Sequence, residues 1–167
     1  MASVVICEKS TQVAKLREAV GNRFGDIIPL SGHVLTLIEP QELREEWKKW
    51  STQVLWPGEF YKTKPAQGRD AQQTAQIRRI LDNVSSALRK ADQVVIATDF
   101  DREGQLIGQE VLTHFGYSGK AFRLKFNAMD PESLRKAFAE MRPLEEYEGL
   151  YWPAWLANKE TRSPTSP

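Results

Sequence analysis

Three carboxylates stand at alternate positions in one short stretch of the chain, at Asp99, Asp101 and Glu103. An apolar run at 94–96 precedes them, and an amphipathic segment at 106–115 follows. This order predicts a short buried strand, an acidic turn and then a helix. Strand ends in open α/β sheets bind ligands and ions, and Mg²⁺ prefers hard oxygen ligands. We therefore expect a divalent-metal site here, with a solvated acidic turn that caps the helix as the alternative.

A second charged pair, Glu8 and Lys9, follows another apolar run at 4–7, and a helical pattern begins directly after it. The order of strand, charge and helix is thus the same as in the acidic stretch. Two parallel strands would deliver charged side chains at the same edge of the sheet. The sequence therefore predicts one composite site made from both segments.

Strand and helix patterns alternate along the rest of the chain. The strongest helical pattern covers 70–88, and further apolar stripes at helical spacing cover 106–115 and 131–141. Short apolar runs at 27–38 and 121–126 indicate additional strands. This alternation favours a three-layer α/β fold with a mainly parallel central sheet.

Two segments do not fit this alternation. Residues 40–69 mix tryptophans, lysines and prolines without a sustained period, which predicts an irregular aromatic and basic excursion that either contacts nucleic acid or packs against a neighbouring domain. Residues 143–167 combine an aromatic stretch with a Ser/Pro/Thr end. We expect this segment to be the truncated start of a further domain or a disordered tail.

Composition excludes several classes of protein. The chain has 167 residues, 41% of them hydrophobic and 27% charged, with a net charge of +1, which are ordinary values for one globular domain. The single cysteine, Cys7, excludes a disulfide framework and a cysteine-based zinc site. Neither a signal peptide nor a membrane span is predicted, so we expect a cytoplasmic, nucleoid-associated protein without a membrane partner.

The two charged strand ends together resemble a Toprim domain, a metal-binding α/β module of topoisomerases, bacterial primases and some nucleases. Its signature is a glutamate after the first strand and an Asp-x-Asp pair after a later one, here Glu8 and 99–101. Residues 8–10 (Glu-Lys-Ser) and 99–105 (Asp-Phe-Asp-Arg-Glu-Gly-Gln) are similar to type IA DNA topoisomerases, and Gln105 favours topoisomerase III. On this resemblance we assign residues 1–142 to a Toprim domain, which is Rossmann-like.

The resemblance implies a role for each matching residue. A tyrosine would attack a single-strand phosphodiester, another strand would pass through the break, and the 3′-hydroxyl would reverse the attack. In this scheme Glu8 and Lys9 are catalytic, and single-stranded DNA and the remaining topoisomerase domains are the partners. Magnesium would be held by Glu8, Asp99, Asp101 and Glu103, and the candidate DNA contacts are Lys9, His33 and Arg102.

The nucleophilic tyrosine of that scheme is missing from the chain. No tyrosine lies in a stretch that resembles the family's active-site motif; the four are Tyr61, Tyr117, Tyr147 and Tyr151. We therefore expect a part of a longer enzyme that is inactive alone. The alternatives are a stand-alone Toprim nuclease or nucleotidyl-transfer enzyme, and a non-catalytic module that binds nucleic acid.

Overall fold

Strands and helices alternate through most of the computed structural model, which describes residues 2–48 and 62–149. The strands are β1 (Ser3–Cys7), β2 (Asp26–Pro29), β3 (Leu35–Leu37), β4 (Thr63–Pro65), β5 (Gln93–Ala97), β6 (Lys120–Arg123) and β7 (Arg142–Pro143). The α-helices are α1 (Ser10–Val20), α2 (Pro40–Leu43), α3 (Ala71–Leu88), α4 (Arg102–His114) and α5 (Pro131–Ala139). Two 3₁₀ helices, at Glu45–Lys48 and Leu144–Tyr147, complete the described elements.

The main sheet has the strand order β2-β1-β5-β6-β7. The pairs β1–β2, β1–β5 and β5–β6 are parallel, and only β7 at the edge is antiparallel. Parallel neighbours require long crossovers, which the helices between these strands supply. The predicted three-layer α/β fold with a mainly parallel central sheet is confirmed.

Each face of the sheet has its own hydrophobic core. Side chains of a strand alternate between the two faces, so Val4 and Ile6 of β1 belong to one core and Val5 and Cys7 to the other. Helices α3 and α4 cover the first face, and α1 and α5 cover the second. The central strands are therefore buried on both sides, which explains why they read as continuous apolar runs.

The expected irregular excursion at 40–69 contains more order than was predicted. After the short helix α2, strand β4 pairs antiparallel with β3, with Leu37 opposite Thr63. The backbone groups of β3 need partners, and a short polar strand with no apolar alternation supplies them. Residues 49–61, which include several of the aromatic side chains, lie outside the described residues.

The residues that follow α5 also pack against the domain. Strand β7 pairs with β6, and Leu144 is buried in the core under α3 and α4. The remaining tail, 150–167, lies outside the described residues. Among the helices that the structure describes, none is both long enough and apolar enough to cross a membrane.

Candidate functional site

The two charged strand ends of the sequence meet at one edge of the sheet. Strands β1 and β5 are parallel neighbours, and their last residues, Cys7 and Ala97, face each other in the register. Glu8 and Lys9 therefore emerge beside the turn that begins at Thr98 and contains Asp99. The two segments thus meet at one edge of the sheet, and Lys9 contacts both Glu8 and Asp99.

Lys9 links the two halves electrostatically. Its Nζ lies 2.8 Å from Oδ2 of Asp99 and 3.2 Å from Oε1 of Glu8. Hydrogen bonds to these two carboxylates, the Asp99 bond being the stronger cause, raise the pKa of Lys9 above its ordinary value. The ammonium thus stays charged at neutral pH, and it partly neutralises two carboxylates that would otherwise repel each other.

Gln12 holds the backbone of Glu8 and Lys9 next to Asp99. Sequence patterns did not identify this residue. Its Oε1 accepts hydrogen bonds from the backbone N–H groups of Glu8 and Lys9, each at 3.0 Å, and its Nε2 donates to Oδ1 of Asp99 at 2.8 Å. The side chain is only 6% exposed. A glutamine at the third position of a helix is one half of a capping box, and this pattern could have identified Gln12 from the sequence.

Asp101 has a structural task in addition to any ligand role. Its Oδ1 accepts a 2.6 Å hydrogen bond from the backbone N–H of Gly104, which caps the start of α4. Gly104 packs so closely that a Cβ atom there would lie 2.0 Å from the Asp99 carbonyl oxygen. Thr98 donates from Oγ1 to the Gly104 carbonyl at 2.7 Å. The acidic turn is therefore locked to the first turn of α4.

The outer candidates lie at the rim of this site. Nε2 of His33 is 3.2 Å from Oε1 of Glu103, whose side chain is 72% exposed. Arg102 is the first residue of α4 and is exposed. The ion pairs found within the described part of the chain do not include Arg102. Both basic groups, His33 and Arg102, are thus near the acidic turn without belonging to its inner contacts.

Arg123 is fully buried under the acidic turn and was also missed by the sequence patterns. Its guanidinium donates to the carbonyl oxygens of Ile96, Thr98 and Asp99, the last at 2.6 Å, and its Nε donates to Oε1 of Gln105 at 2.8 Å. Burial lowers the pKa of Arg123 to about 10, so it remains protonated at neutral pH. One buried charge thereby holds the backbone of the whole turn.

The donor atoms at this edge are of the kind that magnesium prefers, but they do not form a complete cage. Within residues 2–48 and 62–149, no three Asp, Glu, His or Cys side chains lie close enough together to hold a metal ion. Mg²⁺ is usually held by one or two carboxylates together with phosphate oxygens and water. The four predicted ligands, Glu8, Asp99, Asp101 and Glu103, are therefore not gathered into one such group in the described part of the chain.

Comparison with protein families gives a match over most of the chain. Residues 3–129 match the Toprim domain. The chain belongs to the Toprim family. The charged strand ends that suggested a topoisomerase Toprim domain in the sequence are the ones that meet in the structure, and that assignment is confirmed.

Individual relatives of this Toprim domain are DNA topoisomerases. The chain is 31% identical over 117 residues to DNA topoisomerase 1 of Archaeoglobus fulgidus, and 27% identical over 130 residues to DNA topoisomerase 3 of Staphylococcus aureus. These alignments cover 68% and 77% of the chain but only 16% and 17% of the relatives. The Toprim domain therefore corresponds to a small part of each relative.

A solved structure supports the fold of this Toprim domain. Full-length topoisomerase I from Thermotoga maritima aligns with a TM-score of 0.58 and 15% sequence identity. The alignment covers 87% of the chain and 22% of that structure. At this level of identity, the likeness shows a common fold.

Proposed function

We propose that this chain is the Toprim domain of a type IA DNA topoisomerase and contributes its acid/base and magnesium-binding groups to single-strand cleavage, strand passage and religation. The observation that carries the proposal is that Lys9 bridges Glu8 and Asp99, which lie at the ends of two parallel strands. The topoisomerase relatives support it. Since the chain spans about a sixth of those relatives, the full reaction belongs to a longer protein, which would act in the cytoplasm on nucleoid DNA.

Each inner residue has a role that its surroundings favour. Lys9 carries a stable positive charge and would stabilise the negative charge that develops on the scissile phosphate. Glu8 lies beside it with 14% of its side chain exposed, and would exchange a proton with the 3′-oxygen. Asp99 and Asp101 would hold Mg²⁺, and Glu8 and Glu103 are the further predicted ligands. A bound ion at this place would supply charge stabilisation and orientation of the 3′-hydroxyl.

The described tyrosines do not act as the nucleophile in this proposal. Tyr117 donates a hydrogen bond to the Ala91 carbonyl and lines an open cleft of about 900 Å³ at the amino ends of β5 and β6, away from the acidic turn. Tyr147 packs against Phe100. Tyr61 and Tyr151 lie outside the described residues. The nucleophile would come from the remaining topoisomerase domains, which together with single-stranded DNA are the proposed partners.

Calorimetric titration with MgCl₂ tests the metal role. We expect the Asp99→Asn and Asp101→Asn variants to bind Mg²⁺ about 10-fold more weakly or worse, because each loses a charged oxygen ligand. Asp82→Asn is the matched control, since Asp82 is exposed on α3. Equal affinity in all variants, or no Mg²⁺ binding by the parent chain in the presence of an oligonucleotide, would refute the metal role.

Incubation of the chain with labelled single-stranded DNA and Mg²⁺ separates this proposal from a stand-alone nuclease. We expect no cleavage, because the nucleophile is not supplied. Cleavage that Asp99→Asn abolishes would instead identify a nuclease that is complete in itself. Cleavage that persists in Asp99→Asn would come from a contaminating enzyme and leaves the expected result in place.

A further inference from the structure

An aromatic and basic cluster lies next to the acidic turn, at the ends of β5 and β6. Phe100 stands between the two aspartates, Lys125 follows β6 by two residues, and Tyr147 ends the second 3₁₀ helix. Because β5 and β6 are parallel neighbours, Phe100 and Lys125 leave the sheet at the same edge. We refer to these three residues as the Phe100 cluster.

The Phe100 ring is held in a fixed orientation. The Tyr147 ring meets it edge-on, with centroids 5.4 Å apart and an angle of 86° between the planes. The buried guanidinium of Arg123 lies 5.3 Å from the Phe100 centroid. Aromatic pairs and cation–π contacts of this kind favour a single ring position. Phe100 nevertheless remains partly exposed.

Lys125 adds a positive charge that no acidic side chain pairs with in the part of the chain that the structure describes. Its Nζ lies 5.3 Å from the Phe100 centroid, and the ion pairs of the described residues do not include it. Lys9, in contrast, is already paired with Glu8 and Asp99. A phosphate that approaches the acidic turn needs positive charge to offset the carboxylates, and Lys125 is placed to supply it.

The geometry points to a binding subsite for one nucleotide of single-stranded DNA at the Phe100 cluster, with the base stacked on Phe100 and the phosphate on Lys125. Proteins that bind single strands combine aromatic faces, on which the bases stack, with cations that contact the backbone. A duplex is the less suitable ligand because its bases are already stacked. The subsite rests on the proposed function, since it would position the strand beside Asp99 and Asp101.

Fluorescence anisotropy of a labelled short oligothymidylate, titrated with the chain at low salt, tests the Lys125 contact. We expect Lys125→Gln to weaken binding about 3-fold or more and to reduce the slope of log affinity against log salt by about 0.7. Lys120→Gln is the matched control, because Lys120 is exposed at the opposite end of the same strand. Equal effects of the two substitutions, or no binding by the parent chain, would overturn the subsite.

An abasic oligonucleotide distinguishes the stacking contact of Phe100 from the phosphate contact of Lys125. We expect Phe100→Leu to weaken oligothymidylate binding about 5-fold or more, and to leave an abasic oligonucleotide unaffected. Lys125→Gln should weaken both ligands, and Phe100→Tyr should retain binding because it keeps the aromatic face. If Phe100→Leu weakens both ligands equally, or Phe100→Tyr fails although its thermal unfolding matches the parent, the stacking role is wrong.

Magnesium titration of the same variants distinguishes a failure of the subsite from a failure of the proposed metal role. If Lys125→Gln and Phe100→Leu do not change oligonucleotide binding but Mg²⁺ binding still depends on Asp99, only the subsite is wrong. Absence of Mg²⁺ binding, with the two nucleotide effects intact, would remove the metal role and leave a single-strand binding surface.

Discussion

At the scale of single residues, the acidic turn depends on two side chains that carry no reaction of their own. Arg123 holds the backbone carbonyls of the turn from inside the domain, and Gln12 holds Asp99 together with the backbone of Glu8 and Lys9. Both are buried, and each joins segments that are far apart in the sequence. The positions of Glu8, Lys9 and Asp99 are therefore set by a neutral side chain, Gln12, and by a buried one, Arg123.

Replacing Arg123 tests this support. We expect Arg123→Met to lower the free energy of unfolding by about 2–4 kcal/mol, because the Thr98 carbonyl and Gln105 amide oxygen lose a buried donor. Urea unfolding followed by circular dichroism measures the change. The exposed Arg142→Met is the control and should stay within about 0.5 kcal/mol of the parent. A similar loss in both variants would argue against the support role.

Residue patterns in the sequence predicted the charged groups but not their supports. Glu8 and Asp99 follow apolar runs, and a strand end next to a helix start is visible in one dimension. Arg123 and Gln12 act across many residues, and nothing in their local sequence shows which distant carbonyl or carboxylate they meet. The site's outline was thus predictable, whereas the hydrogen bonds that hold it required the fold.

At the scale of elements, α4 connects the acidic turn with the β3–β4 pair. Its first turn is capped by Asp101, and its last residue, His114, makes a 2.7 Å hydrogen bond with Oγ1 of Thr63 in β4. Burial lowers the pKa of His114 below its ordinary value. The hydrogen bond to Thr63 thus ties the last turn of α4 to β4.

This histidine predicts a pH dependence of stability. The unfolded chain binds a proton at His114 more readily than the folded one, so the free energy of unfolding falls as the pH is lowered through about 6.5 towards the folded pKa. His114→Asn should show a smaller fall over the same range, with His33 unchanged in both proteins. Urea unfolding at several pH values measures the difference. Identical pH profiles for parent and variant would contradict this assignment.

The alternation of elements was predicted correctly, but the short helix α2 and strand β4 inside the irregular excursion were not. Long apolar stripes made α3 and the parallel strands evident, since they bury whole faces. Strand β4 has three residues, two of them polar or charged, and it forms because β3 offers unpaired backbone groups. Pairing of this kind has no side-chain pattern, so it could be found only in three dimensions.

At the scale of the whole molecule, one sheet separates two cores that share the same strands. Ile27 belongs to the core under α1 and α5, and Ile107 to the core under α3 and α4. Each residue is more than nine-tenths buried. Among the described residues, the central strands separate the two cores, so small changes on opposite faces should act independently.

Stability measurements on Ile→Val variants test this independence. Ile27→Val and Ile107→Val should each cost about 0.5–1.5 kcal/mol, and the double variant should equal their sum within about 0.5 kcal/mol in one cooperative transition. The pair Ile96→Val and Ile107→Val, both in one core, is the comparison in which departures from the sum are expected. Two separate unfolding transitions would show that the cores are not one cooperative unit.

The contact between Lys9 and Asp99 spans 90 residues of sequence. Synthesis at about 5–20 residues per second separates the two groups by roughly 5–20 s, during which β1 has been made and β5 has not. On the side that faces Asp99, the strand that carries Glu8 and Lys9 pairs with β5, which is made about 90 residues later. The site is thus completed only after β5 has been made, and until then β1 lacks the parallel neighbour that carries Asp99.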